Sequence, residues 1–104
     1  MPVPDEVERP KVFRHPVLLS EHVFDKLRSI DLGLAEFEAL LDSGIVIEET
    51  VLAPPNVKEL VLLIEWIRPL HLVVVVDDVR EEERILTVYE PDPTRWSPDF
   101  RRRR

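Results

Sequence analysis

Four side chains in this 104-residue sequence have the types needed for proton transfer at a phosphodiester: His22, Arg68, His71 and Tyr89. Metal-free cleavage of RNA requires a base for the 2′-hydroxyl proton, an acid for the leaving oxygen and a cation for the charged phosphorane. On that scheme His71 is the general base or acid and His22 its counterpart. Arg68, three residues before His71, is the phosphate clamp, and Tyr89 an orienting hydroxyl or a stacking group. Each also has a plain structural role: a hydrogen-bonded strand histidine, a solvated arginine beside Pro69, a core tyrosine with a wet hydroxyl. A metal site built from His22, His71 and the Asp77-Asp78 pair is the weaker idea, because no HxH or HExxH spacing is present and the aspartates lie at the far end of their strand from His71. No metal or other cofactor is expected. The chain has no cysteine, which excludes a thiolate site or a disulfide framework, and it has no glycine-rich phosphate loop.

The element that must carry His71 and Tyr89 is the stretch RPLHLVVVVDDVREEERILTVYEP, residues 68–91. Four successive valines, whose β-branched side chains suit a pleated surface, make 70–76 a strand. RILTVYE, 84–90, is its hairpin partner across the charged connection 77–83. Alternation puts His71, Val73 and Val75 on one face and Leu70, Leu72, Val74 and Val76 on the other. Arg68, His71 and Tyr89 then fall at one end of the antiparallel pair whatever the register. IVIEETVL, 45–52, reads as an earlier strand. Residues 56–67 fit a capped helix or a buried strand, and the continuous apolar run 60–64 between prolines favours the strand.

Upstream, Ser20 is placed to cap a helix running to about Ser29 with Val23, Phe24, Leu27 and Ile30 on one stripe. Asp31 would cap a second helix with Leu34, Phe37, Leu40 and Leu41 on its apolar face, and Gly44 would end it as a left-handed residue. Residues 1–11, proline-broken and without apolar periodicity, read as a flexible arm. Residues 12–100 read as a single α+β domain and 101–104 as a basic tail, with Trp96 and Phe100 anchoring the preceding segment to the body. The expected fold is two N-terminal helices packed on an antiparallel sheet of three or four strands.

Charge bounds the partners. The formal net charge is −7, and without Arg101–Arg104 the rest carries ten basic against 21 acidic groups, a net of −11. A field of that sign repels nucleic acid, so RNA binding would need a local basic patch. A basic protein partner suits it better, with Glu48 and Glu49 among the candidate contacts. The arginine tail itself could take a phosphate or an acidic partner. The apolar runs are too short to span a bilayer and the start of the chain is unlike a secretory signal, so no membrane association and a cytoplasmic location are expected. An open edge on so small a sheet would allow a homodimer.

In order and spacing, Ser20-x-His22 with a short helix, a second helix ending in SGIVIEE, RPLHLVVVVDD and RILTVYEPDPTRW together resemble the bacterial domain-of-unknown-function family numbered 4258, over residues 17–100. Where that family carries H-x-x-x-R around the first helix, this chain reads Asp25-Lys26-Leu27-Arg28, and no role is carried over for that arginine. The family resembles, distantly, the RelE/ParE/BrnT toxin folds. That resemblance implies a toxin-like protein of the RelE/ParE type, possible metal-independent endoribonuclease activity and an antitoxin or other protein as partner. The rival expectation is a non-catalytic protein–protein interaction module, in which His22, Arg68, His71 and Tyr89 do not converge on any cleft.

Overall fold

Burial on both faces explains the two most apolar strands. The computed structural model describes residues 4–104, and in it the ambiguous 56–67 stretch contains strand β4 (Val57–Leu63), next to the valine strand β5 (Leu70–Asp77). Both are interior strands of a six-stranded sheet in the order β1-β3-β4-β5-β6-β2. The other strands are β1 (Asp5–Pro10), β2 (Val17–Leu19), β3 (Ile45–Val51) and β6 (Glu82–Tyr89). A strand covered on both sides reads as an unbroken apolar run, which is why periodicity alone left β4 open.

This architecture corrects the expected fold. The sheet has six strands and is mixed, because β2 runs parallel to β6 while every other neighbouring pair is antiparallel. The two helices, α1 (Glu21–Ser29) and α2 (Leu34–Leu40), follow two strands instead of opening the fold. The layout of two N-terminal helices on three or four antiparallel strands, and with it the RelE/ParE-like arrangement, is therefore overturned. Asp5–Pro10, expected within the flexible arm, is an edge strand; residues 1–3 of that arm lie outside the described residues. Its charged sequence has no apolar period because its side chains serve ion pairs: Arg9 reaches Glu49 at 3.1 Å and Glu59 at 2.9 Å.

Since β1 and β2 occupy opposite edges, the chain must cross the sheet twice. Residues 11–16 make the first crossing and the helices the second, both over the face that carries Val61, Leu63, Leu70, Leu72, Val74, Val76, Ile85 and Val88. The first crossing has no ladder to join. Glu83, fully buried, supplies the missing partners: its Oε2 accepts from the backbone N–H of Arg14 at 2.6 Å and of His15 at 3.1 Å. Lys11 is buried between Glu59, at 2.6 Å, and Glu83, with its ammonium 4.6 Å from the centre of the Phe13 ring.

Local chemistry settles the helix ends. Ser20 occupies the N-cap position with extended backbone, yet its hydroxyl donates to Leu86 O at 2.8 Å, tying α1 to β6 instead of capping it. Asp31 does not cap α2. It adopts φ 57° and closes α1, with its N–H bonded to Arg28 O and that of Leu32 to Leu27 O, the paired bonds of a Schellman ending. Gly33 stands at the N-cap of α2 instead. Gly44, expected to be left-handed, is extended (φ −64°); a Cβ there would meet Val61 Cγ1 at 2.9 Å, so close approach to β4 is what requires glycine. Val23, Leu27, Phe37, Leu40 and Leu41 are buried as expected, whereas Phe24 and Leu34 are exposed.

One irregularity matters for the opposite face. In β3, Val46 pairs with Val61 and Glu48 with Leu60, leaving Ile47 as an extra residue, a β-bulge. Val46 belongs to the helix-side core, while Ile47 packs with Leu60, Leu62 and Trp96 on the other side, where Glu48 also lies.

Substituting Lys11→Met would leave Glu59 and Glu83 in place without their shared cation. Urea denaturation should register a loss of about 3–5 kcal/mol, against less than about 0.5 kcal/mol for Arg28→Ala at the exposed Asp25 pair.

Candidate functional site

His71 lies on the sheet face away from the helices, and the register sets it directly opposite Tyr89. Residues 92–104 cover it. Trp96 stands edge-on to the imidazole, ring centres 4.4 Å apart and 84° between planes, and Tyr89 does the same at 5.4 Å and 77°. His71 Nε2 is 2.9 Å from the carbonyl of Phe100. A carbonyl only accepts, so Nε2 carries the proton and Nδ1 is left as acceptor for the Tyr89 hydroxyl, 3.3 Å away. Both ring nitrogens are thus engaged and the side chain is fully buried.

The electrostatics follow from that enclosure. Burial pushes the His71 pKa below its ordinary value; the Phe100 bond and Glu48 oppose this, and Arg103 adds to it. Burial raises the Tyr89 pKa, so the phenol is a hydrogen-bond donor and not a base at neutral pH. Arg103 forks onto Glu48 with Nε at 2.8 Å and Nη2 at 3.1 Å, stacks 4.7 Å from the centre of a Trp96 ring, and is held more firmly protonated by the Glu48 bonds. Beside this group opens a cleft of about 260 Å³ lined by Glu48, Thr50, Lys58, Leu60, Tyr89 and Arg103.

Of the four residues singled out from sequence, the fold brings two into contact, His71 and Tyr89. Arg68 lies at the same end of the β5–β6 pair, but it forms an exposed ion pair with Glu90 and stacks over Trp66 at 4.7 Å. His22 is exposed on α1, whose buried residues Val23 and Leu27 pack on the helix-side core. The sheet therefore stands between His22 and His71, and the base–acid pair postulated for RNA cleavage is not assembled.

Charged residues outside that set are more tightly organised. Three of the four arginines of the basic tail are engaged by the chain's own carboxylates: Arg101 with Glu8 at 3.0 Å, Arg102 with Glu6 at 2.8 Å and Arg103 with Glu48. Trp96 is buried, as its anchoring role required. His15 Nε2 and Asp78 Oδ1 are 2.8 Å apart, a contact that holds the Asp78 carboxyl below the usual range. Among the described residues no group of three or more His, Asp or Glu is arranged to hold a metal ion. No helix there is long and apolar enough to cross a membrane.

Comparison with protein-family models, with curated proteins and with solved structures found no match for this chain. The resemblance to the family numbered 4258 accordingly rests on its motifs alone.

The His71 environment predicts a pH dependence. With the folded pKa below 6.5, the unfolded chain binds the extra proton first, so stability falls as pH drops through about 6.5 and below. The melting temperature should decline between about pH 7 and pH 5.5, ahead of the carboxylates, and this decline should flatten in His71→Gln.

Proposed function

We propose that this protein is a non-catalytic interaction module that binds a basic segment of a partner protein. The observation that carries the reading is the scattering of the candidate catalytic groups. His71 is sealed with both nitrogens bonded, His22 lies across the sheet, and Arg68 is paired with Glu90. The choice of a basic partner comes from charge: 21 acidic residues face 14 basic ones, and Arg101, Arg102 and Arg103 are already engaged by Glu8, Glu6 and Glu48. What remains to attract a partner is predominantly negative, which favours association with cations and disfavours nucleic acid.

The sheet edges argue for recognition on a face and not by strand addition. β1 is acidic, bulged between Glu6 and Arg9 and ended by Pro10, and β2 is only three residues long. These are the features that blunt an edge against pairing.

A toxin-like, metal-independent endoribonuclease is the second reading, favoured by the His71–Tyr89 contact beside Arg103. It needs the Trp96–Phe100 cover to lift before His71 meets a substrate.

Purified protein incubated with total RNA in EDTA should leave the RNA intact, and expression should not slow growth. A fluorescent Lys/Arg-rich peptide should bind it with an affinity that falls as salt rises, and the charge-inverted peptide should not. RNA cleavage that disappears in His71→Gln, or equal indifference to both peptides, overturns the reading.

A further inference from the structure

Residues 92–104 sit on the sheet in the manner of a bound ligand. Their backbone hydrogen bonds run within the segment: Trp96 N to Asp92 O, Phe100 N to Ser97 O, Ser97 N to Arg102 O and Arg104 N to Arg95 O, with Trp96 and Arg103 bridged as an antiparallel pair. Arg104 turns back as well, its Nε donating to the carbonyls of Trp96 and Pro93. Among the described residues no backbone ladder joins this small hairpin to the sheet. Side chains hold it: Trp96 and Phe100 against Ile47, Leu60, Leu62 and Tyr89, one hydrogen bond from His71 to Phe100 O, and the three arginine–glutamate pairs.

The surface beneath is built for cations. Glu6 of β1 stands directly opposite Glu48 of β3, and like charges facing each other across strands repel. Glu8 extends the row along the edge strand. The chain's own solution is an aromatic anchor followed by arginines, which states the chemistry of an occupant: an aromatic ring for the apolar floor and guanidinium groups for the glutamates. The fit is open at its sides. A cleft of about 260 Å³ lies between Arg101, Arg102 and the strand residues Glu6, Val7, Glu8 and Ile47, and the cleft at Lys58 and Tyr89 flanks the other side. The exposed Arg101 and Arg102 pairs contribute little each and weaken with salt, so the hold depends largely on Trp96 and on the Arg103 fork to the buried Glu48.

We propose that the groove over Ile47, Leu60 and Leu62, rimmed by Glu6, Glu8 and Glu48, is the docking site for a basic, aromatic-anchored segment of a partner protein, and that residues 92–104 occupy it as an intramolecular competitor. This rests on the interaction-module reading and names its site. A tethered occupant acts at high effective concentration, so the wild-type chain binds such a segment measurably but more weakly than a chain whose own segment is displaced.

The test uses the full chain and a labelled synthetic peptide of residues 92–104. In Arg101→Glu/Arg102→Glu/Arg103→Glu the tethered segment is repelled, and the peptide should bind this chain at least about tenfold tighter than wild type. Adding Glu6→Gln and Glu8→Gln should reverse that gain. Wild-type hydrogen exchange, which needs no variant to fold, should show the Ser97, Phe100 and Arg104 amides opening well before those of Leu62 and Leu72. A folded triple variant that gains no binding, or segment amides that exchange only with the strands, overturns the proposal. If a Lys/Arg-rich peptide binds wild type while those amides keep their protection, this site is wrong and the interaction-module reading stands. If no basic peptide binds any of these chains, both fail.

Discussion

The buried lysine between two glutamates is the constraint on which the arrangement depends. Lys11 belongs to a stretch that must cross from one sheet edge to the other without strand or helix hydrogen bonds of its own. Such a crossing over an apolar face would strand backbone donors. Glu83 of β6 solves this by accepting two of them while holding the Lys11 ammonium, and Glu59 of β4 shares the same cation. Two strands of the sheet and the crossing are thereby registered to one another at a single charged point. Replacing the three ions by apolar groups would leave the Arg14 and His15 N–H groups without Glu83 as acceptor, so the charged cluster fixes the path of the crossing as well as pairing its own charges.

The two faces of the sheet are closed by different means. Helices and the Lys11 crossing close one, with a continuous apolar core from Val23 to Val88. A segment without regular helix or strand closes the other, through a small cluster centred on Ile47, Leu62 and Trp96. That second closure places His71 in an environment that disfavours its protonation and raises the Tyr89 pKa, keeping the hydroxyl protonated as a hydrogen-bond donor. The same contacts that make His71 look like an organised active-site residue remove it from reach.

Local pattern carried the central hairpin, β3, the limits of α1 and the buried halves of both helix stripes, because each is decided by residues a few positions apart. It could not carry β1, whose Arg9 finds acids 40 and 50 positions away, nor the use of the tail arginines, whose partners are 93 and 96 positions distant for Arg101 and Arg102. Charged strands at an edge look like disordered arms until their counter-ions are known. The candidate site was legible to the same extent. Alternation set His71 apart from Leu70 and Leu72, strand direction put it at the same end of the pair as Tyr89, and the register, which the sequence left open, makes Tyr89 its direct neighbour. That the face would be capped by Trp96 and Phe100, closing His71 off, depended on docking that leaves no periodic trace.

The extra residue at Ile47 bears on how this chain can vary. A strand without it keeps strict two-residue phase, so an apolar contact and an acidic one on the same face must be separated by a residue facing the other way. The bulge shifts the phase once, and Ile47 and Glu48 become adjacent readers of the 92–104 segment, Ile47 for the indole of Trp96 and Glu48 for the guanidinium of Arg103. Removing Ile47 would restore a regular ladder with Glu48 still opposite Leu60 and Glu49 opposite Glu59, so the glutamates would keep their faces and only the apolar contact to Trp96 would go. The inserted residue thus gives the strand an apolar seat beside an acidic one without disturbing the pairing on either side of it.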